Sequence, residues 1–316
     1  MHVPNHLISP EVAIIGGVAA VALIGVAIAK VKRTGIGDKL PLAGVMGAFV
    51  FAAQMLNFSF GDAGFSGHLI GGVLLAAMLG KWLGFLTLSG VLILQSLLFA
   101  DGGVMALGWN ILNMAAIGSL VVYPLIFEPI VRHNHSAGRV LTAGLSASFG
   151  AVVLGALAVV AEAALSGTAL PTAEFMGYML PTHALIGLGE GIITGAILAL
   201  VARTEPALLD CNKHSAKALR TGLQRSIAAF AISALVIGGG LSLIASERPD
   251  GLEWSIEQTA EGEAIASEPI HESADALQAS LAVAPDYEGD YTGLLATAGI
   301  LLLAWVGSGK KRVKSK

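Results

Sequence analysis

HLIGGVLLAAMLGKWLGFLTLSGVLILQSLLFA (68–100) is the stretch whose reading decides the architecture of this chain. It is predominantly apolar, and its one Lys, Arg, Asp or Glu is Lys81, which stands beside Trp82. A helix that crosses a bilayer needs about 20 apolar residues. The stretch is therefore either one long span or two that turn at Lys81–Trp82. The choice reverses the side of the membrane on which every later loop lies.

Composition places the chain in a membrane. Of its 316 residues 55% are hydrophobic and only 13% charged, with 40 glycines and a mean hydropathy of +0.76. Soluble domains carry about 25% charged residues. Abundant Gly and Ala suit close helix packing in lipid, and no alternating segments of about 10 residues suggest a barrel. The fold class is an all-α polytopic bundle. Spans are expected near 9–29, 40–58, 68–80, 82–100, 104–127, 140–165, 178–202, 225–246 and 291–307. With two spans in 68–100 and the N-terminus outside, 17 of the 18 Lys and Arg residues face the cytoplasm, and only Arg248 lies outside. One span there would break this positive-inside pattern. The expectation is nine transmembrane helices, with the N-terminus outside.

The polar segment 209–224 reads as a cytoplasmic linker between a seven-helix unit (1–208) and a two-helix hairpin (225–316). Twelve acids lie between Glu247 and Tyr291, in the hairpin's outer loop. The centre of that loop, 258–280, reads as a solvated linker. Its ends, PDGLEW (249–254) and APDY (284–287), combine proline, acid and aromatic residues and read as ordered. The single cysteine, Cys211, excludes an internal disulfide and a thiolate metal cluster. No internal repeat of the kind found in secondary transporters is visible.

The chain starts MHVPN, and its first eleven residues hold no Lys or Arg. A secretory leader would begin with basic residues, so the N-terminus reads as a working part. A free Met1 amine and the His2 amide nitrogen close a five-membered ring on a metal. The His2 amide nitrogen and its own Nδ1 close a six-membered one. A further imidazole completes a square of four nitrogens, which suits Ni(II) or Cu(II) rather than Mg or Ca. His68, in GFSGHLIGG (64–72), is expected at the outer mouth on the same side. On their own, His2 is equally readable as a residue of a frayed end and His68 as an interfacial cap.

At these residues the chain resembles the substrate-binding membrane component of cobalt/nickel energy-coupling-factor transporters, the CbiM/NikM type. The matching motifs are MHVP (1–4), NFSFGDAGFSGHLIGG (57–72), DGGVMALGWNILNM (101–114) and HALIGLGEGIITG (183–195). The hairpin with PDGLEW and PDY resembles the small companion subunit of those transporters, fused here to the C-terminus. The resemblance implies a metal site formed by the Met1 amine, the His2 amide and imidazole, and the His68 imidazole. It implies Ni²⁺ or Co²⁺ as the transported substrate, no organic cofactor, and a place in the cytoplasmic membrane. It also implies a transmembrane coupling subunit and two ATPase subunits as partners, with no role for nucleic acid. MHVP is more similar to the MHIP start of the nickel branch than to the MHIM of the cobalt branch. Asn5–His6 departs from the acid and Gly usual in the family, which makes His6 an additional imidazole near the site.

Other residues are auxiliary candidates. Asn57 opens the second motif. Asp101 is either a turn residue or an attractor of cations. Asn110 and Asn113 share a helical face and can bond across the bundle. His183 and Glu190 share a face of the seventh span, where a buried Glu demands a partner. GSGKK (307–311) is not a phosphate-binding loop, because Ala304 replaces the leading Gly and Lys311 the required Ser/Thr. The chain thus carries no ATPase motif. Two rival readings are a membrane metalloenzyme and a stand-alone proton-coupled carrier that uses Glu190 and His183 as a relay. Four planar nitrogens leave no easy position for a reactive water, which weighs against the enzyme.

Overall fold

Helix α1 (Pro10–Thr34) and helix α2 (Leu40–Met55) open the fold. A short antiparallel pair follows, β1 (Phe58–Ser59) with β2 (Ser66–Gly67), and then helices α3 (Gly72–Leu79) and α4 (Lys81–Phe99). The seven-helix unit closes with α5 (Leu107–Val131), α6 (Ala137–Leu165) and α7 (Thr172–Thr204). The hairpin comprises α8 (Ala216–Gly239), the outer helices α9 (Gly251–Thr259) and α10 (Pro269–Leu281), and α11 (Thr292–Gly309). The computed structural model describes residues 1–34, 39–209, 216–260, 268–287 and 292–309. Cys211 and Lys213 of the expected linker, and the basic tail from Lys310, lie outside the described residues.

The stretch 68–100 does divide in two. Gly80 makes the break, at φ 88° and ψ 152°, a backbone conformation open to glycine and strained for other residues. At that end of the bundle Lys39 Nζ donates to the Met78 carbonyl at 3.5 Å, so Lys39 and Lys81 share one side as the charge pattern requires. The third span is nevertheless shorter than expected. Helix α3 has eight residues, a rise of about 12 Å against a hydrocarbon core of about 30 Å. Residues 68–71 are not helical, and side chains of the protein bond part of their main chain. Glu190 accepts the N–H groups of Ile70 (2.9 Å) and Gly71 (3.1 Å), and Gln54 Nε2 donates to the Ile70 carbonyl at 3.0 Å. Irregular backbone at membrane depth survives only where protein groups replace the missing water.

Among the described residues six helices are long and apolar enough to cross a membrane: α1, α4, α5, α6, α7 and residues 220–239 of α8. Helix α2 and residues 293–302 of α11 are apolar but shorter. All nine expected segments thus contain helix, six of them long and apolar enough to cross among the described residues.

Small residues set the packing, as expected in a bilayer. A Cβ on Gly144 would come within 2.7 Å of the Gly195 Cα, so α6 and α7 touch backbone to backbone. Of the small-residue pairs in α1, Gly16/Ala20 faces inward, where the Trp109 ring leaves no room for a Cβ on Gly16. Helix α1's other face exposes Ile14, Ile15, Val18 and Val21. Helix α2 is buried on nearly every side, because α8 and α11 cover the face that the seven-helix unit leaves open. Phe49 of α2 meets Phe230 of α8 edge-on at 5.1 Å.

The acidic loop departs most from expectation. Both ends are ordered as foreseen, but the centre is not a solvated linker. Residues 269–281 form α10, which buries His271 and Gln278. Residues 261–267 and 288–291 lie outside the described residues.

Candidate metal centre

The N-terminal segment lies buried across one end of the bundle. The fully buried side chains of Val3, Leu7 and Ile8 anchor it, and its backbone polar groups are matched in turn. Asn110 takes the Val3 N–H at 2.8 Å and donates to the Val3 carbonyl at 3.2 Å, while the Gly103 N–H reaches the same carbonyl at 2.9 Å. Asn5 Oδ1 accepts the Met105 N–H at 2.8 Å, and Asn5 Nδ2 donates to Asp275 (2.6 Å) and Gln278 (3.1 Å) of α10. The DGG turn (101–103) makes this approach possible. Gly102 has φ 81°, and a Cβ on it would sit 3.1 Å from the His2 Cβ.

The chain's amine and two imidazoles converge where this segment begins. The Met1 amine lies 3.4 Å from His68 Nε2. The His2 ring stacks on the His68 ring, with centroids 5.4 Å apart and planes 18° from parallel. His68 Nδ1 lies 3.2 Å from the Leu69 carbonyl, which fixes Nε2 as the nitrogen that faces the amine. Burial of the Met1 side chain, which fits against Gly155, holds the amine in place.

Two carboxylates bracket this cluster. Asp250, from PDGLEW, bonds the Met1 amine through Oδ2, and its Oδ1 accepts the N–H groups of Leu252 (2.8 Å) and Glu253 (2.9 Å). With the Glu253 carboxylate accepting the Asp250 N–H at 2.9 Å, this is a capping box that starts α9. Asp101 Oδ1 lies 3.0 Å from His2 Nδ1, and the Tyr287 hydroxyl of PDY donates to its Oδ2 at 2.6 Å. Burial alone would raise both carboxyls. For Asp101 the neighbouring His2 and the Tyr287 hydroxyl outweigh it and hold the group down at about 2. For Asp250 the N-terminal ammonium outweighs it, and the carboxyl falls well below its ordinary range.

The hairpin's aromatic residues seal this end. Trp254 packs on Phe65 (5.4 Å) and Tyr178 (5.7 Å), and Tyr287 stacks on Phe99 at 4.9 Å. Gln278 donates to the Gly102 carbonyl at 2.7 Å and the Ser96 carbonyl at 2.9 Å, and His271 Nε2 donates to the Ile8 carbonyl at 3.0 Å.

Of the residues singled out by sequence, Met1, His2, His68, Asp101 and Asn110 meet here. His183 lines a small cavity beneath the amine together with Met1, His68 and Asp250. Glu190 holds the broken start of α3 and not the cluster. His6 lies instead beside Asp275 and His271, and the main-chain carbonyl of Asn57 accepts the Ser246 N–H at the hairpin's entry. Asn113 bonds Glu162 at 3.0 Å. Sequence reading missed Asn5, Asp250, Gln278 and Tyr287 as site residues. The D-x-x-E pattern of 250–253 was a visible helix-start signal; nothing local marks Gln278. Among the described residues no three His, Cys, Asp or Glu side chains stand in metal-ligand geometry.

Comparison with known proteins agrees with both halves of this architecture. Residues 2–208 match the family described as "Cobalt uptake substrate-specific transmembrane region", and residues 224–308 match the PDGLE domain. A "Putative fused nickel transport protein NikMN" from Archaeoglobus fulgidus is 30% identical, over 98% of this chain and 94% of its own length. A "Fused nickel transport protein NikMN" from Rhodobacter capsulatus is 32% identical over 81% of this chain and 76% of its own. A solved structure described as a transition metal transporter superposes with a TM-score of 0.57 at 30% identity, covering 65% of this chain and 94% of the other. The chain belongs to the CbiM family of cobalt-uptake substrate-specific membrane proteins, and it carries a PDGLE domain at its C-terminal end.

Proposed function

We propose that this chain captures Ni²⁺ or Co²⁺ on the outer face of the cytoplasmic membrane and passes it inward as the substrate-specific component of an ATP-driven energy-coupling-factor transporter. The ligands are the Met1 amine, the His2 amide nitrogen and Nδ1, and His68 Nε2. A transmembrane coupling subunit and two ATPase subunits supply the energy. The named relatives and the distribution of basic residues support this reading.

The observation that carries it is the approach of the Met1 amine to His68 Nε2, 3.4 Å across 67 residues of sequence. A chain terminus is ordinarily frayed; this one is buried, clamped and aimed at an imidazole. Chelation asks two changes of the arrangement. The amine must exchange Asp250 for the cation. The His2 ring must make a half turn about Cβ–Cγ, which brings Nδ1 to the amide side and the Nε2 edge toward Asp101. A carboxylate that then accepts Nε2–H orients a metal-bound imidazole. The relay proposed for a stand-alone carrier has less support, since both Glu190 oxygens are occupied by main-chain N–H groups.

Titration calorimetry with Ni²⁺ on the purified chain tests the assignment. His2→Ala and His68→Ala should each lose tight binding while the folded protein persists. Near-normal affinity in both would refute the site.

A further inference from the structure

His183 presents an imidazole nitrogen for which the four-nitrogen site has no use. Its Nδ1 lies 2.9 Å from the Met179 carbonyl, one turn earlier in α7. That carbonyl takes the Nδ1 proton and leaves Nε2 with its lone pair. The residue is 1% exposed, and Nε2 is buried without a hydrogen-bond partner. Buried nitrogens without partners are rare in folded proteins and call for a reason.

The surroundings supply one. His183 lines a cavity of about 10 Å³ shared with Met1, His68, Asp250 and the backbone at Gly67 and Gly251. That volume admits one water-sized body. His68 is held in the same way, with Nδ1 on a backbone carbonyl and Nε2 toward the cavity's amine. Imidazoles that ligate metals characteristically donate their other nitrogen to such a carbonyl. Two histidines, each with Nδ1 on a backbone carbonyl, therefore line one ion-sized space, and the Nε2 of His183 is left without a partner. They do not make a resident site, because no three side chains there stand in ligand geometry among the described residues.

We propose that His183 Nε2 is a transfer ligand for the divalent cation, bonding it while its bonds to the N-terminal nitrogens form and break. The inference rests on the four-nitrogen reading above. In a planar nitrogen site each bond that opens needs a replacement, or exchange is slow. An imidazole suits Ni²⁺ and Co²⁺ alike. His183 is not a proton relay on this account, since its Nδ1 is tied to a backbone carbonyl.

The test is stopped-flow association and dissociation of Ni²⁺ on the purified full chain with a free N-terminus. Wild type, His183→Gln, His183→Asn and His2→Ala are compared, with thermal unfolding as the check on folding. An interaction made only in passage lowers a barrier and leaves the equilibrium alone. The folded His183 variants should associate and dissociate about tenfold more slowly, with Kd within about threefold of wild type. Wild-type exchange rates in them would overturn the proposal. So would a weakened Kd with unchanged association, which would make His183 a permanent ligand or a packing residue. His2→Ala separates the two claims. If it loses tight binding while His183→Gln exchanges at wild-type rate, only the transfer role fails. If it binds Ni²⁺ normally, the four-nitrogen reading fails, and this inference with it.

Discussion

The Asp250 carboxylate bonds the Met1 amine across 249 residues of sequence, so the C-terminal hairpin holds the first residue of the chain directly. Asp101, which holds His2, is itself bonded by the hairpin's Tyr287. One ordered end of the acidic loop thus reaches Met1 directly, and the other reaches His2 through Asp101.

Asp250→Ala should separate uptake from binding. Loss of the cap costs α9 about 1 kcal/mol, and the amine loses the partner with which a cation must compete. Purified protein should bind Ni²⁺ as tightly as wild type or more so. Uptake in cells should fall about tenfold, the factor equivalent to about 1.4 kcal/mol. Parallel loss of affinity would make Asp250 a ligand.

Lengthening the N-terminus by one residue should be as harmful as losing His2. The amine becomes an amide nitrogen, far less basic, and His2 moves to the third position. The Met1 side chain is buried against Gly155 beside Asp250, so the added residue has little space. Wild-type nickel uptake by such a protein would argue against a ligating amine.

Gln278→Ala tests whether the loop's centre is structural. Gln278 bonds Asn5, Ser96, Gly102 and Val104 from a buried position. Each buried group left unpaired costs about 1–3 kcal/mol. The variant should unfold at lower temperature in detergent and take up less metal. For the same reason deleting 258–280, which a solvated linker would tolerate, should abolish uptake. Normal uptake after that deletion would show that α10 is dispensable.

Acid should release the metal through its nitrogens and not through Asp101. The ordinary carboxyl value of 3.8 falls to about 2 in the folded chain. A group depressed in this way contributes its stability fully above 3.8 and loses it only as pH falls toward 2. Metal loss above about pH 4 therefore reports protonation of amine, amide and imidazole. Asp101→Asn should weaken affinity and raise the midpoint of acid release only as far as the weaker binding requires. A shift beyond that would give Asp101 a proton-accepting part.

Residues whose chemistry is local were the legible ones. MHVP and His68, singled out for their nitrogens, do come together, and Lys81 announces a turn that Gly80 then makes. The start of the third span misled because hydropathy measures affinity for lipid and says nothing of where backbone hydrogen bonds go. HLIGG (68–72) is apolar, yet it is held by Glu190, 120 residues distant from Ile70. Helix α10 was read as solvated because its buried contacts are polar. His271 and Gln278 face inward while Ile270 and Leu277 are exposed, the reverse of an amphipathic pattern. Asp250 was visible as a cap, but its pairing with Met1 is a product of the tertiary fold.

The most direct test of the central claim is X-ray absorption at the nickel edge of the Ni²⁺-loaded protein. The account predicts a first shell of four nitrogens in a plane, with the edge features of square-planar nickel. A six-coordinate shell rich in oxygen, or one containing the Met1 sulfur, would contradict it.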